Sequence, residues 1–162
     1  MSVCLSLRRF RPGDPHLCGD VELLIGAVPI TSRVEEDAGL LVSLGEEWVV
    51  VLAALAGDDT STATVGHRAV LGGEFLGRTE TEVAVLLTPD AVRRVAAELA
   101  SDSVGGDGEA RVLRHLDAVE AAHGATAGDG LRRRVAAQVE ALAGFYAVAA
   151  AQGDVVVKVA YS

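Results

Sequence analysis

The chain has 162 residues, 23 acidic against 14 basic, a formal charge of −9, and half of its residues are hydrophobic. That length suits one domain with a sizeable core, and that charge opposes phosphate backbones and anionic lipid, so nucleic acid and membrane surfaces are not expected partners. With three Phe, two Tyr, one Trp and one Met, the core has to be built from Ala, Val and Leu.

Val3, Leu5 and Leu7 alternate with Cys4, Ser6 and Arg8, which predicts an opening strand with one buried face, ended by Pro12, Gly13 and Pro15. Asp20 is placed to cap a short helix through Leu23, Leu24 and Ala27. Pro29 to Asp37 reads as a polar connection, and its acidic trio Glu35, Glu36 and Asp37 as a solvated loop rather than a carboxylate metal site. Ser43 and Glu46 have the capping-box spacing, which predicts a helix from about Leu44 to Ala56 with Gly57 as its stop. Trp48, on the first turn of that helix, reads as a core anchor whose indole N–H needs one partner. Asp58 to Gly66 reads as a loop, with His67 after it.

Leu71 to Gly77 places three glycines around Phe75 and Leu76, a signature of tight turns or close backbone approach. Val83, Val85 and Leu87, alternating with Ala84 and Leu86, predict a buried strand. Thr88, Pro89 and Asp90 then supply a capping hydroxyl, a first-turn proline and a negative charge at the positive end of the helix dipole. The helix that follows carries Ala91, Val92, Val95, Ala96 and Leu99 on one face, with Asp90/Arg94 and Arg94/Glu98 at pairing distance on the other.

Ser101 to Gly108 reads as a polar connection, with Asp107 placed to cap a helix bearing Val112, Leu116 and Val119 and stopped by Gly124. His115 and His123 on it are eight residues apart, whereas helical zinc pairs sit about four apart, so no metal is expected there. Leu131, Val135, Val139, Leu142 and Tyr146 trace a longer helix, and Gly153 with Asp154 turns the chain into a closing strand through Val155, Val157, Val159 and Tyr161. Arg8/Arg9/Arg11 and Arg132/Arg133/Arg134 read as solvated surface, since no aromatic residues interleave them as in a nucleic-acid face. The whole, residues 1–162, reads as one α+β domain: a small mixed or antiparallel sheet assembled from N-terminal, central and C-terminal strands, covered by about four to five helices.

The order AVLGGEFLG, a variable segment, then VLLTPDAV and an Ala-rich helix resembles the YfbM-like family of small bacterial proteins, a domain of unknown function. SLGEEWVVVLAALAGDD and ALAGFYAVAAAQGDVVVKV are similar to two further pieces of the family pattern, so the resemblance runs from about Leu40 to the end. It implies an α+β single domain and brings no reaction or ligand. The sequence departs from the pattern where Glu46 or Glu47 and Val49 replace a Lys and a His that often flank the family's Trp, and where Thr79 to Glu82 replaces a Gly-Tyr-Gly-Pro type segment. Any activity tied to those positions is in doubt for this chain.

No GxSxG elbow or HExxH helix is present, and Cys4 and Cys18 form no CxxC pair. His16 and Cys18, at i, i+2 spacing, read as diverging. The residues placed to line a binding site are Glu46 and Glu47 beside Trp48, together with His67, Gly72, Gly73 and Glu74, because carboxylates near an aromatic and a glycine turn are where a cleft would shift their chemistry. Neither a cofactor nor a metal is expected. The longest apolar run, Trp48 to Ala56, is nine residues, far short of a membrane span of about 20, and with no charged-then-apolar leader the expected location is the cytoplasm. The leading expectation is a non-catalytic binding or protein-interaction module, monomer or homodimer, with another protein as partner. The alternative is a small hydrolase or small-molecule-binding enzyme with its site between the Trp48 helix and the Gly72 to Gly77 turn.

Overall fold

The computed structural model describes residues 2–57, 61–103, 108–123 and 128–162. Five short runs form the strands β1 (Cys4–Phe10), β2 (Leu41–Gly45), β3 (Glu74–Arg78), β4 (Glu82–Leu87) and β5 (Val155–Tyr161) of one sheet, ordered β2-β1-β5-β4-β3. Every neighbouring pair is antiparallel. The last strand lies at the centre because it is apolar on both faces: Val155, Val156, Val157 and Val159 are all buried, as a strand covered twice requires. It pairs with β1 from Cys4↔Tyr161 to Phe10↔Val155, which closes the two ends of the chain onto each other.

Seven α-helices surround the sheet among the described residues: α1 (Val21–Gly26), α2 (Arg33–Asp37), α3 (Trp48–Ala56), α4 (Val65–Val70), α5 (Pro89–Ser103), α6 (Gly108–His123) and α7 (Asp129–Gln152). Helices α3 to α7 cover one face, burying Leu5, Leu7, Leu87 and Val156 against Val51, Val92, Val95, Val135, Leu142 and Tyr146. The other face is closed by α1, where Leu24, Ile25 and Val28 meet Phe10, Leu41, Val157 and Val159. The period-2 alternation along β5 therefore sends Val156 and Lys158 toward the helices and Val155, Val157 and Val159 toward α1.

Several local readings hold. Asp20 caps α1 through Glu22 N–H at 2.9 Å, Thr88 precedes α5, where its Oγ1 accepts from Ala91 N–H at 3.4 Å, and Gly153 ends α7 in the left-handed region at φ 70°. Others are corrected. Leu41–Gly45 is a strand, and helix α3 begins only at Trp48 with no side-chain cap. The Ser43 hydroxyl instead donates to Ile30 O at 2.7 Å, beside Ser6, which donates to the same oxygen. Pairing with β1 outweighs the capping box because it gives Leu41 and Leu44 complete burial. Residues of the acidic trio lie on α2, capped by Ser32, rather than in a loop. The glycine-rich stretch after Gly73 forms β3. On α5, Asp90 pairs with Arg93 and Glu98 with Arg68, in place of the two i, i+4 pairs. The Asp107 cap, the Gly124 stop and the start of the Asp58 loop lie outside the described residues, as do the side chains of Val112, Val119 and His123.

In the arginine clusters Arg11, Arg133 and Arg134 are exposed as expected, whereas Arg8, Arg9 and Arg132 are half-buried and paired. Arg8 pairs with Glu35 at 2.9 Å and lies over the Phe10 ring, and Arg132 holds Asp117 and Glu120. Arg9 pairs with Asp154 at 2.6 Å and also donates to Gly39 O at 2.7 Å. Asp154 is 2% exposed, so its carboxylate depends on that guanidinium. Arg9→Met is expected to lower the free energy of unfolding by about 3 kcal/mol, because it strands a buried charge. Urea denaturation measures this, and a loss below about 1 kcal/mol would show that the pair behaves like a solvent-screened one.

Candidate functional site

Helix α4 and the glycine turn after it form the most unusual polar region of the fold. Thr64 starts the helix by accepting from His67 N–H at 3.1 Å. Gly66 lets α4 lie directly against α3, since a Cβ there would meet Ala56 N and the Leu55 Cβ at 2.9 Å. At the other end, Leu71 N–H and Gly72 N–H both donate to His67 O, at 2.8 and 2.7 Å. The chain then passes over β4 so closely that a Cβ on Gly73, whose φ is 152°, would sit 2.8 Å from Leu86 O. The turn is therefore restricted to glycine by contact as well as by conformation.

Beneath this turn lies Lys158. It is 1% exposed on the central strand, and its amine donates to Arg68 O at 2.5 Å and Gly72 O at 2.6 Å. Burial pushes its pKa well below the ordinary lysine value. Tyr146 of α7, fully buried, donates to Ala69 O at 2.7 Å, and burial holds its phenol well above the usual range. Three carbonyls at the end of α4 are thus met by side chains of β5 and α7. His67 Nδ1 is buried without a hydrogen-bond partner among the described residues. With both its acceptors backbone carbonyls, the Lys158 amine ties the turn to the sheet.

Beyond the turn, β3 and β4 make a hairpin closed by Thr79, whose N–H donates to Glu82 O at 3.0 Å. The register shifts between Phe75 and Gly77, which marks a β-bulge at Leu76. Phe75 pairs with Val85, and Val83, two residues on, projects from the same face. Phe75 is 64% exposed, Val83 43% and Leu76 38%.

The expected site residues fall into two groups. His67, Gly72, Gly73 and Glu74 come together at the end of α4 and the start of the hairpin, with Glu74 exposed. Trp48 lies elsewhere: its indole donates to Val3 O at 3.0 Å and its ring packs on the main core. Glu47 beside it pairs with Arg134 at 2.9 Å, and Glu46 is exposed. Two cavities, of about 390 and 560 Å³, include neither group: one lies between β2 and α7, the other around His16, Glu22 and Leu23. His16 binds Asp14, whose carboxyl it holds low, mainly through the His16 backbone N–H. Among the described residues no three His, Cys, Asp or Glu side chains gather as a metal site, and no helix is long and apolar enough to cross a membrane. Sequence reasoning passed over Lys158 and read Tyr146 only as part of the apolar stripe of the long helix. The available signal was a lone lysine inside a valine strand.

Residues 20–159 match the family described as "Domain of unknown function (DUF1877)". The chain belongs to this family. Its fold is similar to that in "The Crystal Structure of a Protein of Unknown Function YfbM from Escherichia coli", with a TM-score of 0.58 and 17% identity over 97% of this chain and 99% of that one. No curated protein matches the sequence. In this DUF1877 member the positions that depart from the pattern are surface-facing for Glu46 and Val49, and Thr79 to Glu82 forms the hairpin turn.

The buried amine sets a pH dependence for this DUF1877 chain. A lysine with a lowered native pKa binds fewer protons in the folded than in the unfolded state. Stability therefore rises with pH from that lowered value up to the unfolded value of about 10.4. Tyr146 and Tyr161, the latter pushed up to about 12 by burial and Glu82, act in the opposite sense above about pH 10. Melting temperatures between pH 7 and 9.5 are expected to rise less steeply with pH in Lys158→Met than in the parent protein. Equal slopes would show that the amine is not desolvated.

Proposed function

We propose that this chain is a non-catalytic cytoplasmic binding module that contacts a partner protein through the β3–β4 hairpin. The observation that carries the reading is Phe75, a large apolar side chain 64% exposed next to exposed Leu76 and Val83. Exposed apolar clusters rimmed by polar residues favour interaction surfaces, and Glu74, Arg78 and Glu80 supply that rim. The hairpin grows out of the Gly72–Gly73 turn that Lys158 anchors, so the apolar side chains stand on a rigid base and little order is lost on binding. The bulge at Leu76 disrupts the outer ladder of β3, which favours contact through side chains over strand addition at this edge.

A second reading is the small hydrolase or ligand-binding enzyme, for which the specific support is His67 Nδ1 beside the glycine turn, one of five buried side-chain atoms without a partner among the described residues. Both readings are tested together. Native mass spectrometry of the protein purified gently from its own host is expected to show a stoichiometric protein partner that is lost in Phe75→Glu, while folding stability changes by less than about 0.5 kcal/mol. A partner retained by Phe75→Glu defeats the hairpin reading. A small-molecule adduct lost in His67→Ala would favour the enzyme instead.

A further inference from the structure

Phe75 lies opposite Val85 and Arg78 opposite Val83, and residues directly opposite in an antiparallel pair share a face. Val85 is in turn opposite Lys158, so the ring and the guanidinium both belong to the side of the sheet that carries the main helix layer. The bulge makes this possible. Residues three apart on a regular strand point to opposite faces, but here the extra residue is taken up and the partners on β4 are two apart, which sets Phe75 and Arg78 about 7 Å from each other along the strand. Both are exposed, as are Leu76 and Val83, so the helices leave this end of the sheet uncovered. Glu74, opposite Leu86, belongs to the other face.

Neither group is used within the chain. Arg8, Arg9, Arg68, Arg93, Arg132 and Arg134 each pair with a carboxylate, whereas among the described residues Arg78 makes no ion pair or hydrogen bond. Arg8 lies over the Phe10 ring, 4.7 Å from its centroid, and among the described residues no cation lies over Phe75. The patch therefore carries both halves of one interaction, an open aromatic face at one end and an unpaired guanidinium at the other. Such a contact contributes about 0.5–1 kcal/mol where exposed and more where water is excluded. A copy of the same patch, turned by a two-fold axis, presents its guanidinium to the ring and its ring to the guanidinium, so the interaction is made twice. The chain's charge of −9 opposes self-association elsewhere on the surface, but here the charge on the contact face is Arg78, and salt screens the more distant repulsion beyond about 8 Å.

We infer that the partner of the hairpin is a second copy of this chain, the two hairpins packing face to face and antiparallel so that Phe75 of each lies on Arg78 and Val83 of the other. This rests on the reading of the hairpin as a contact surface and names its occupant. Contact is through side chains, so the broken outer ladder of β3 is no obstacle to it. Three exposed apolar side chains in each copy make a small core, which suits an interface below about 1,200 Å², the size of transient complexes. The association is therefore reversible and depends on concentration.

The test is sedimentation of the purified full chain between about 1 μM and 1 mM, where a monomer–dimer equilibrium is expected. Phe75→Lys sets two cations against each other, Arg78→Glu removes the cation and Arg78→Gln removes only its charge; each is expected to weaken the dimer by about tenfold or more. Phe75→Glu is expected to dissociate it as well, since an exposed ion pair does not replace the apolar contact. Mixed one to one, Phe75→Lys and Arg78→Glu are expected to associate about tenfold more tightly than either does alone, because one contact is then the native ring on guanidinium and the other joins opposite charges. Melting temperatures should match the parent, as both side chains are exposed. A chain that stays monomeric at about 1 mM overturns the inference, as does a dimer indifferent to both Arg78 substitutions or a pair of variants that fails to associate on mixing. A monomeric purified chain, with a different protein found in native mass spectrometry and lost in Phe75→Glu, overturns this inference and leaves the hairpin reading standing.

Discussion

An amine buried at the middle of a sheet has to be met by fixed acceptors, and where those acceptors come from organises this molecule. Lys158 finds them at the end of α4, where Arg68 O and Gly72 O are left without intrahelical donors. The negative end of the helix dipole points the same way. Tyr146 takes the neighbouring carbonyl of Ala69. A six-residue helix, too short to be stable by itself, is thereby held by its own unsatisfied groups to the central strand and to α7. The glycine turn that follows is placed with it, and the β3–β4 hairpin with the turn.

The same solution recurs across the fold. His115 of α6 bonds Ala54 O near the end of α3 at 3.0 Å, so another helix terminus is met by a side chain from a distant element. Arg9 takes Gly39 O and Asp154 together, joining β1, the α2–β2 connection and the α7–β5 turn. Tyr161 donates to Val28 O after α1. In a chain with few aromatics and a core of Val, Leu and Ala, which packs by area with little directional preference, these polar contacts specify how the layers are oriented. Their burial makes each one costly to leave unmade.

Around this arrangement the two edges of the sheet differ. One edge, β3, leaves Phe75 exposed, and the other, β2, buries Leu41 and Leu44. At β3 the bulge and flanking charges guard the ladder while leaving Phe75 in solvent. At β2 Gln138 and the turn before α3 both bond Leu44 O. A family defined by a domain of unknown function is thus represented here by a scaffold in which Lys158, Tyr146 and Asp154 hold distant elements together from inside the fold.

What the sequence by itself determined is whatever depends on neighbours within a few residues. The boundary from β4 into α5 was legible because Thr88, Pro89 and Asp90 act on their own helix, and α7 and β5 were legible because their apolar spacing is long and uninterrupted. The α+β class followed from strands at the start, middle and end. Tertiary structure alone decided the rest. Ser43 and Glu46 carry a valid local helix signal, yet Leu41–Gly45 is a strand because β1 offers pairing and burial that one cap cannot match. Arg8 and Arg9 of the first arginine cluster are ion-paired because their partners lie far along the chain, 145 residues away for Asp154. Of the candidate site, the Gly72–Gly73 turn could be read from its glycines. Lys158 could not, because a lysine's role depends on which carbonyls surround it, and those come from a helix some 90 residues earlier.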